Sequence, residues 1–275
     1  MKLIDLHTHT RASDGCKTPR DLVAYALENG VAVLAITDHD TVAGIPEALA
    51  AAEDESIRVV PGIEFSIDFG PGTFHLLAYN IDCSDADLLA RTRDLVMKRE
   101  TRAARMVEDL RRHGYDITLE EVAAEAAGGV TGKPHAARVL VRKGYATRDS
   151  VFRDFFEKGK PGHAPKEKIA LDEAFGLIKK SGGFAVLAHP ISLELERGAY
   201  AAFIDDLKRK GLAGVEVYAD MHSPEDVALF AGISRDLGLL MTGGSDYHGD
   251  KNERIGHYAG NVIPFELYDA FKERL

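Results

Sequence analysis

Residues 31–39 read VAVLAITDH, a short apolar run rich in β-branched residues that stops at a histidine. A helical stretch begins before it near Pro19 and another after it near Val42, so strand and helix alternate. Working outward, the same rhythm includes LIDLH (3–7) on one side and RVVPGIEFS (58–66) on the other. TFHLLAYNI (73–81) follows across Gly70, Pro71 and Gly72 with no room for a helix, so these two strands form a predicted hairpin. After a long central region the alternation resumes with GGFAVLAHP (182–190), LAGVEVYAD (212–220) and GLLMTGGSDYH (238–248). Seven strands of this kind predict an α/β chain whose barrel is incomplete or distorted, not a regular eightfold one.

The central region carries no strand pattern. It opens with a long Arg-rich helix from about Asp85 to Arg112. Shorter helices follow around Leu119 to Ala127, Pro134 to Lys143 and Asp149 to Glu157, before the Gly- and Pro-rich return from Gly159 to Pro165. The predicted division is a barrel of residues 1–84 and 169–275 with a small helical insertion domain, 85–168, as a substrate cap. From Arg91 to Lys168 there are 18 Lys and Arg against 12 Asp and Glu, and elsewhere 16 against 32, so a basic segment sits in a chain of net charge -10. That balance argues against duplex DNA across the whole surface. Two distant cysteines, Cys16 and Cys83, give neither a disulfide framework nor a thiolate zinc site. No apolar run approaches the ~20 residues that span a bilayer, and MKLIDLHTHT is neither a signal nor a transit peptide, so the expected setting is the cytoplasm with no membrane partner.

Chemistry-bearing residues gather where the strands end. His7 and His9 close the first strand with i, i+2 spacing that puts both rings on one face, and Asp246 and His248 repeat this at the last. His39, Glu64 and His189 fall at the C-terminal ends of their strands, the face where barrel enzymes act. His75 begins its strand, as the second arm of a hairpin must to reach the same rim. Asp14 follows in SDG. A single strand-end histidine is more often a hydrogen-bonded structural residue, and Asp14-Gly15 alone is more often a turn. Six histidines and three acids on one rim have no such bland account, because that much buried charge needs cations. Imidazole with carboxylate and no thiolate suits Zn, Mn or Fe.

LIDLHTHTRASDG, AITDHD, PGIEFS followed by FHLLAYNI, LAHP and GGSDYHG together resemble the PHP (polymerase and histidinol phosphatase) domain. The resemblance spans the chain apart from the insertion and implies a distorted seven-stranded β/α, TIM-like barrel. It also implies three divalent metal ions: one on His7, His9, Glu64 and Asp246, a second on Asp14, His39 and His248, and a third on Glu64, His75 and His189. Some members place histidine where this chain has Asp14. Length and insertion resemble the stand-alone members that act on nucleoside 3',5'-bisphosphates or trim short oligoribonucleotides from the 5' end.

The insertion offers matching phosphate ligands. In TGKPHAAR, Pro134 opens a helix with Lys133, His135 and Arg138 beside its free N–H groups. Arg11 stands just after the HTHT motif and His222 follows a strand on the same rim; Lys160 and His163 are further candidates. The stretch from Arg91 to Arg112 reads as a solvated helix face. The expected reaction is in-line attack on phosphorus by a hydroxide held by the metal ligands, with no covalent nucleophile, since Cys16 lacks an activating base. The expected partner is a phosphorylated small molecule, a nucleotide, with short single-stranded RNA as the other candidate. Two other readings keep weight: a histidinol-phosphate, sugar-phosphate or cyclic phosphodiester hydrolase on the same site, and a non-catalytic metal-stabilised binding module.

Overall fold

Strands that are apolar on both faces need cover on both sides, and a barrel wrapped by helices supplies it. The computed structural model describes residues 2–70, 72–126, 128–165, 167–249 and 254–275; Pro71 of the predicted hairpin and Ala127 of the predicted insertion helix lie outside the described residues. One sheet runs in the order β1 (Leu3–Asp5), β2 (Val31–Ile36), β3 (Arg58–Ile67), β4 (Phe74–Tyr79), β5 (Phe184–Leu187), β6 (Leu212–Ala219) and β7 (Leu240–Gly244). β4 alone among these seven runs antiparallel to its neighbours, as the short link after β3 requires.

The edges β1 and β7 nearly close the barrel. Leu6 donates to the Gly243 carbonyl at 3.1 Å, His9 donates to the Tyr247 carbonyl at 2.9 Å, and Thr8 bridges Tyr247. Asp5 reinforces this seam by accepting from the Ser245 N–H (3.0 Å), the Ser245 hydroxyl (2.6 Å) and the Gly256 N–H (2.7 Å). A two-stranded ribbon absent from the sequence reading, β8 (His257–Tyr258) and β9 (Asn261–Val262), follows.

α1 (Pro19–Glu28) starts where expected, with Thr18 accepting from the Asp21 N–H. α2 (Ile45–Ala52) starts later than Val42. A helix begun at Val42 would need an N–H at Pro46 to reach the Val42 carbonyl, and proline has none. The insertion holds α3 (Ala86–Arg112), α4 (Leu119–Ala126) and α5 (Lys133–Arg142). Instead of the helix predicted over Asp149 to Glu157, only a five-residue π-helical turn, Phe152–Phe156, forms. Its wider winding buries the adjacent Phe155 and Phe156 while Phe152 stays exposed. These two rings join Ala103, Met106, Leu110, Val122 and Leu140 in a hydrophobic cluster distinct from those of the barrel. The chain then continues through α6 (Leu171–Lys180), α7 (Tyr200–Lys210), α8 (Pro224–Leu237) and α9 (Leu267–Lys272). Among the described residues no helix is long and apolar enough to cross a membrane.

Alternate strand residues, among them Ile4, Val33, Val60, Leu77 and Val186, share one cluster with Phe271 of α9. Phe271 is fully buried, and its ring meets Tyr79 and Phe184 with centroids 5.1 and 5.4 Å away, at the end of the barrel opposite the metal-ligand candidates. Phe271→Ala should therefore cost about 3–5 kcal/mol of stability. Urea unfolding checks this, and metal content should stay that of the unaltered protein.

Candidate metal centre

Six of the seven strands deliver a ligand candidate to one rim. His7 and His39 follow β1 and β2, Glu64 lies in β3, His189 follows β5, and Asp246 and His248 follow β7. In the β3–β4 pairing Ser66 faces His75 and Glu64 faces Leu77, so reversal of β4 returns His75 to the rim. Glu64 is the meeting point. Its Oε1 lies 3.3 Å from His7 Nε2, 2.8 Å from His75 Nδ1 and 3.1 Å from His189 Nε2. Its Oε2 lies 2.6 Å from His39 Nδ1 and 3.5 Å from His9 Nε2. Asp246 Oδ1 stands 3.0 Å from His9 Nε2 and 3.5 Å from His7 Nε2, and Asp14 Oδ1 stands 3.4 Å from His248 Nε2.

Four overlapping groups result whose ligand atoms lie within 4.8 Å of one another: His9, Asp14, His39 and His248; His7, His9 and Asp246; His7, Glu64 and His189; His39, Glu64 and His75. All nine candidates from the sequence are in them. Despite the short separations, His7 Nε2, both ring nitrogens of His9, Asp14 Oδ1, His39 Nδ1, Glu64 Oε2 and Asp246 Oδ1 are buried with no hydrogen-bond partner among the described residues. Atoms that converge closely yet do not bond one another fit a cation between them, because leaving them unsatisfied costs about 1–3 kcal/mol each. The donor set fits divalent transition metals.

The charges are arranged accordingly. Burial would raise the Glu64 carboxyl, yet His75, His39, His7 and the His189 hydrogen bond hold it well below its ordinary value. Asp14 is likewise pulled well below, against burial, chiefly by Arg99, and Asp246 is lowered by His7, His248 and His9. Burial, with His248 and His39 nearby, pushes His9 down to about 3, and burial pushes His75 down to about 4. Against burial, Asp246 and Asp14 lift His248 to about 10, and Glu216, Glu64 and Asp246 hold His7 well above its ordinary value. Protons on such rings stand where a metal would bind, so metal uptake must release them.

A second layer of acids fixes these rings. Glu216 is buried in β6; its Oε1 pairs with His7 Nδ1 at 3.0 Å and its Oε2 accepts from the His189 backbone N–H at 2.7 Å. Asp38 accepts from Thr10 N–H, Thr10 Oγ and Ser13 Oγ and so orders the turn that presents Asp14. His189 and Asp246 take φ of 22° and 51°, a region that favours glycine. At Gly244 a Cβ would come 2.1 Å from the His7 Cβ, so only glycine lets β7 approach β1 there. The sequence reading missed Glu216, although a lone carboxylate inside the apolar run GVEVY was its signal.

The substrate candidates are placed less uniformly. Arg11 Nε donates to the Cys16 carbonyl at 2.8 Å. His135 is buried, and its Nδ1 accepts from the Gly132 N–H at 3.0 Å, capping its own helix. Lys133 reaches the Phe156 carbonyl at 3.5 Å, and Arg138 lies 3.5 Å from Glu125. His222 is buried; its Nδ1 donates to the Val217 carbonyl at 2.8 Å, its ring packs on Phe230, and its Nε2 has no hydrogen-bond partner among the described residues. Reading Arg91 to Arg112 as a solvated face needs correction. Arg99 is buried, and its Nη2 donates to Asp14 Oδ2 at 2.7 Å.

The fold and the rim together define a metal-dependent phosphoesterase. The chain belongs to the PHP domain family, whose model matches residues 5–189. It is 34% identical to the 3',5'-nucleoside bisphosphate phosphatase of Chromobacterium violaceum, covering 94% of this chain and 92% of that protein. It is 33% identical to the 5'-3' exoribonuclease Rnm of Escherichia coli, with 90% and 85% covered. Identity is 31% to the phosphoribosyl 1,2-cyclic phosphate 1,2-diphosphodiesterase of Eggerthella lenta, with 94% and 98% covered. A solved structure from Bifidobacterium adolescentis superposes with TM-score 0.88 at 31% identity, over 99% of this chain and 96% of that one.

Glu216→Gln should test the second layer. Glutamine can accept from His7 or from His189 but must turn an N–H toward the other, which disturbs both. Metal affinity should fall about 10–100-fold with circular dichroism unchanged. Chelator competition measures it, and unchanged affinity would show that Glu216 does not orient the ligands.

Proposed function

We propose that the chain hydrolyses phosphate esters of nucleotides, either nucleoside 3',5'-bisphosphates or the 5' ends of short oligoribonucleotides, using three divalent transition-metal ions, Mn, Fe or Zn. The observation that carries this reading is Glu64, whose buried Oε1 faces His75, His189 and His7 and whose Oε2 faces His9 and His39, so that one carboxylate reaches imidazoles of adjoining sites. In this reading His7, His9, Glu64 and Asp246 hold one ion, Asp14, His39 and His248 a second, and Glu64, His75 and His189 the third. His9 also stands within reach of the second set, so the first two sites adjoin. Bound there, the ions would activate water near neutral pH and offset charge on the phosphoryl oxygens.

The chain's own residues do the positioning. Glu216 holds His7, and Ser192 Oγ, 2.9 Å from His189 Nδ1, helps fix the other ring. Residues 85–168 act as a cap on the barrel of 1–84 and 169–275, and Arg11, Lys133, His135 and Arg138 bind a phosphate that is not cleaved. Support comes from the basic balance of the insertion and from the two relatives that cover most of the chain, named as a bisphosphate phosphatase and an exoribonuclease. The Eggerthella relative supports a second reading, a cyclic phosphodiester substrate on the same rim. The cytoplasm, where such nucleotides occur, is the proposed setting.

Protein expressed with ample metal should carry about three transition-metal ions per chain by elemental analysis and lose activity on chelation. Hydrolysis should be fastest for a nucleoside 3',5'-bisphosphate, read as inorganic phosphate, or for a short 5'-phosphorylated oligoribonucleotide, read as released mononucleotide, and slower for an aryl phosphate. Activity that survives complete metal removal would overturn the metal assignment, and preference for a cyclic phosphodiester would favour the second reading.

A further inference from the structure

We infer that Arg99 and Arg102, one turn apart on α3, form a binding site for a phosphate group of the substrate where the insertion meets the rim. The inference rests on the phosphoesterase reading and adds to it two residues outside the metal ligands. Arg99 is 8% exposed, spends Nη2 on Asp14, and leaves Nε and Nη1 buried with no partner among the described residues. A buried guanidinium with unpaired N–H groups is costly, and a phosphate can take two of them at once. The space is closely fitted: a Cβ at Gly132, the N-cap of α5, would stand 3.2 Å from Arg99 Nε and Nη2.

Arg102 repeats the charge on the same helix face, where like charges at i, i+3 repel. Among the described residues it makes no hydrogen bond or ion pair, and it lines a cavity of about 150 Å³ with Lys98, Arg105 and Glu167. The acids that act on it, Asp40 and Asp14, are already engaged. Asp14 is bonded to Arg99, and Asp40 accepts from the Ser66 N–H and hydroxyl at 2.8 and 3.1 Å. Lys98 is paired with Asp94 and Glu167. Arg99, paired with Asp14 through one nitrogen only, thus keeps two N–H groups without an acceptor, and Arg102 has no ion pair, among the described residues; a phosphate ester supplies the missing acceptors.

The test uses the full, metal-loaded protein with Arg102→Gln, which touches no metal-ligand candidate, and Arg99→Lys, which keeps a charge for Asp14 but loses the fork. Elemental analysis, calorimetric binding of inorganic phosphate, and kcat/KM on an aryl phosphate and on a nucleoside 3',5'-bisphosphate are compared. Arg102→Gln should keep its metal and lose about ten- to a hundredfold in inorganic phosphate affinity and in kcat/KM. A loss on both esters assigns the pair to the phosphate being cleaved, and a loss on the bisphosphate alone to the second phosphate. Unaltered inorganic phosphate affinity in Arg102→Gln overturns the pair, as does metal loss that accounts for the whole effect. Unaltered protein that binds inorganic phosphate through the pair yet hydrolyses no ester would instead sink the phosphoesterase reading.

Discussion

Glu64 is fully buried, and five histidines, His7, His9, His39, His75 and His189, approach its two oxygens within 3.5 Å. A carboxylate taken out of water at that depth is tolerable only with compensating positive charge and fixed geometry. The neighbouring rings cannot all be protonated, since mutual repulsion and burial drive His9 and His75 to low values. Metal ions resolve the conflict better than protons, because one ion serves several ligands at once. The centre therefore relies on bound cations for its own stability as well as for chemistry.

That requirement explains the reversed strand. A uniformly parallel barrel brings one strand end per βα unit to the rim, each limited to residues near its C-terminus. β4 instead starts at the rim, so β3 and β4 present Glu64 and His75 side by side from one hairpin. The seam between β1 and β7 meets the same need from the other direction: Asp5 ties the loop after β7 to β1, and Gly244 lets that strand close on His7. Backbone at φ 22° and 51° for His189 and Asp246 is retained where ligand geometry overrides local preference.

The seven barrel strands and the ligand candidates were legible in the sequence because strand ends and metal-ligating residue types coincide in it. What stayed hidden depends on tertiary direction. A basic stripe on a long helix looks alike whether it faces water or Asp14, and only the docking of α3 on the rim makes Arg99 a buried residue. His222 is ambiguous in the same way, since proximity to a strand end does not foretell that its ring packs against Phe230. The π turn at Phe152–Phe156 depends on two consecutive phenylalanines sharing one core, a packing demand that helical periodicity does not encode.

The length of α3 follows from the reversed strand as well. β4 leaves the chain at the closed end of the barrel, near Tyr79 and the α9 plug, so a return to the rim must climb the barrel's side. At 1.5 Å per residue, the 27 residues of α3 extend roughly 40 Å. Its first turn packs with the barrel through Leu88, whereas Ala103, Met106 and Leu110 belong to the insertion's own cluster. Arg99 lies between these two groups, roughly 20 Å along, at the level where the helix passes the rim. One helix thus anchors in the barrel, touches Asp14 in passing and carries the insertion's own cluster beyond it. A shift of the insertion cannot leave Asp14 undisturbed, because the guanidinium paired with this carboxylate moves with the helix that carries the insertion.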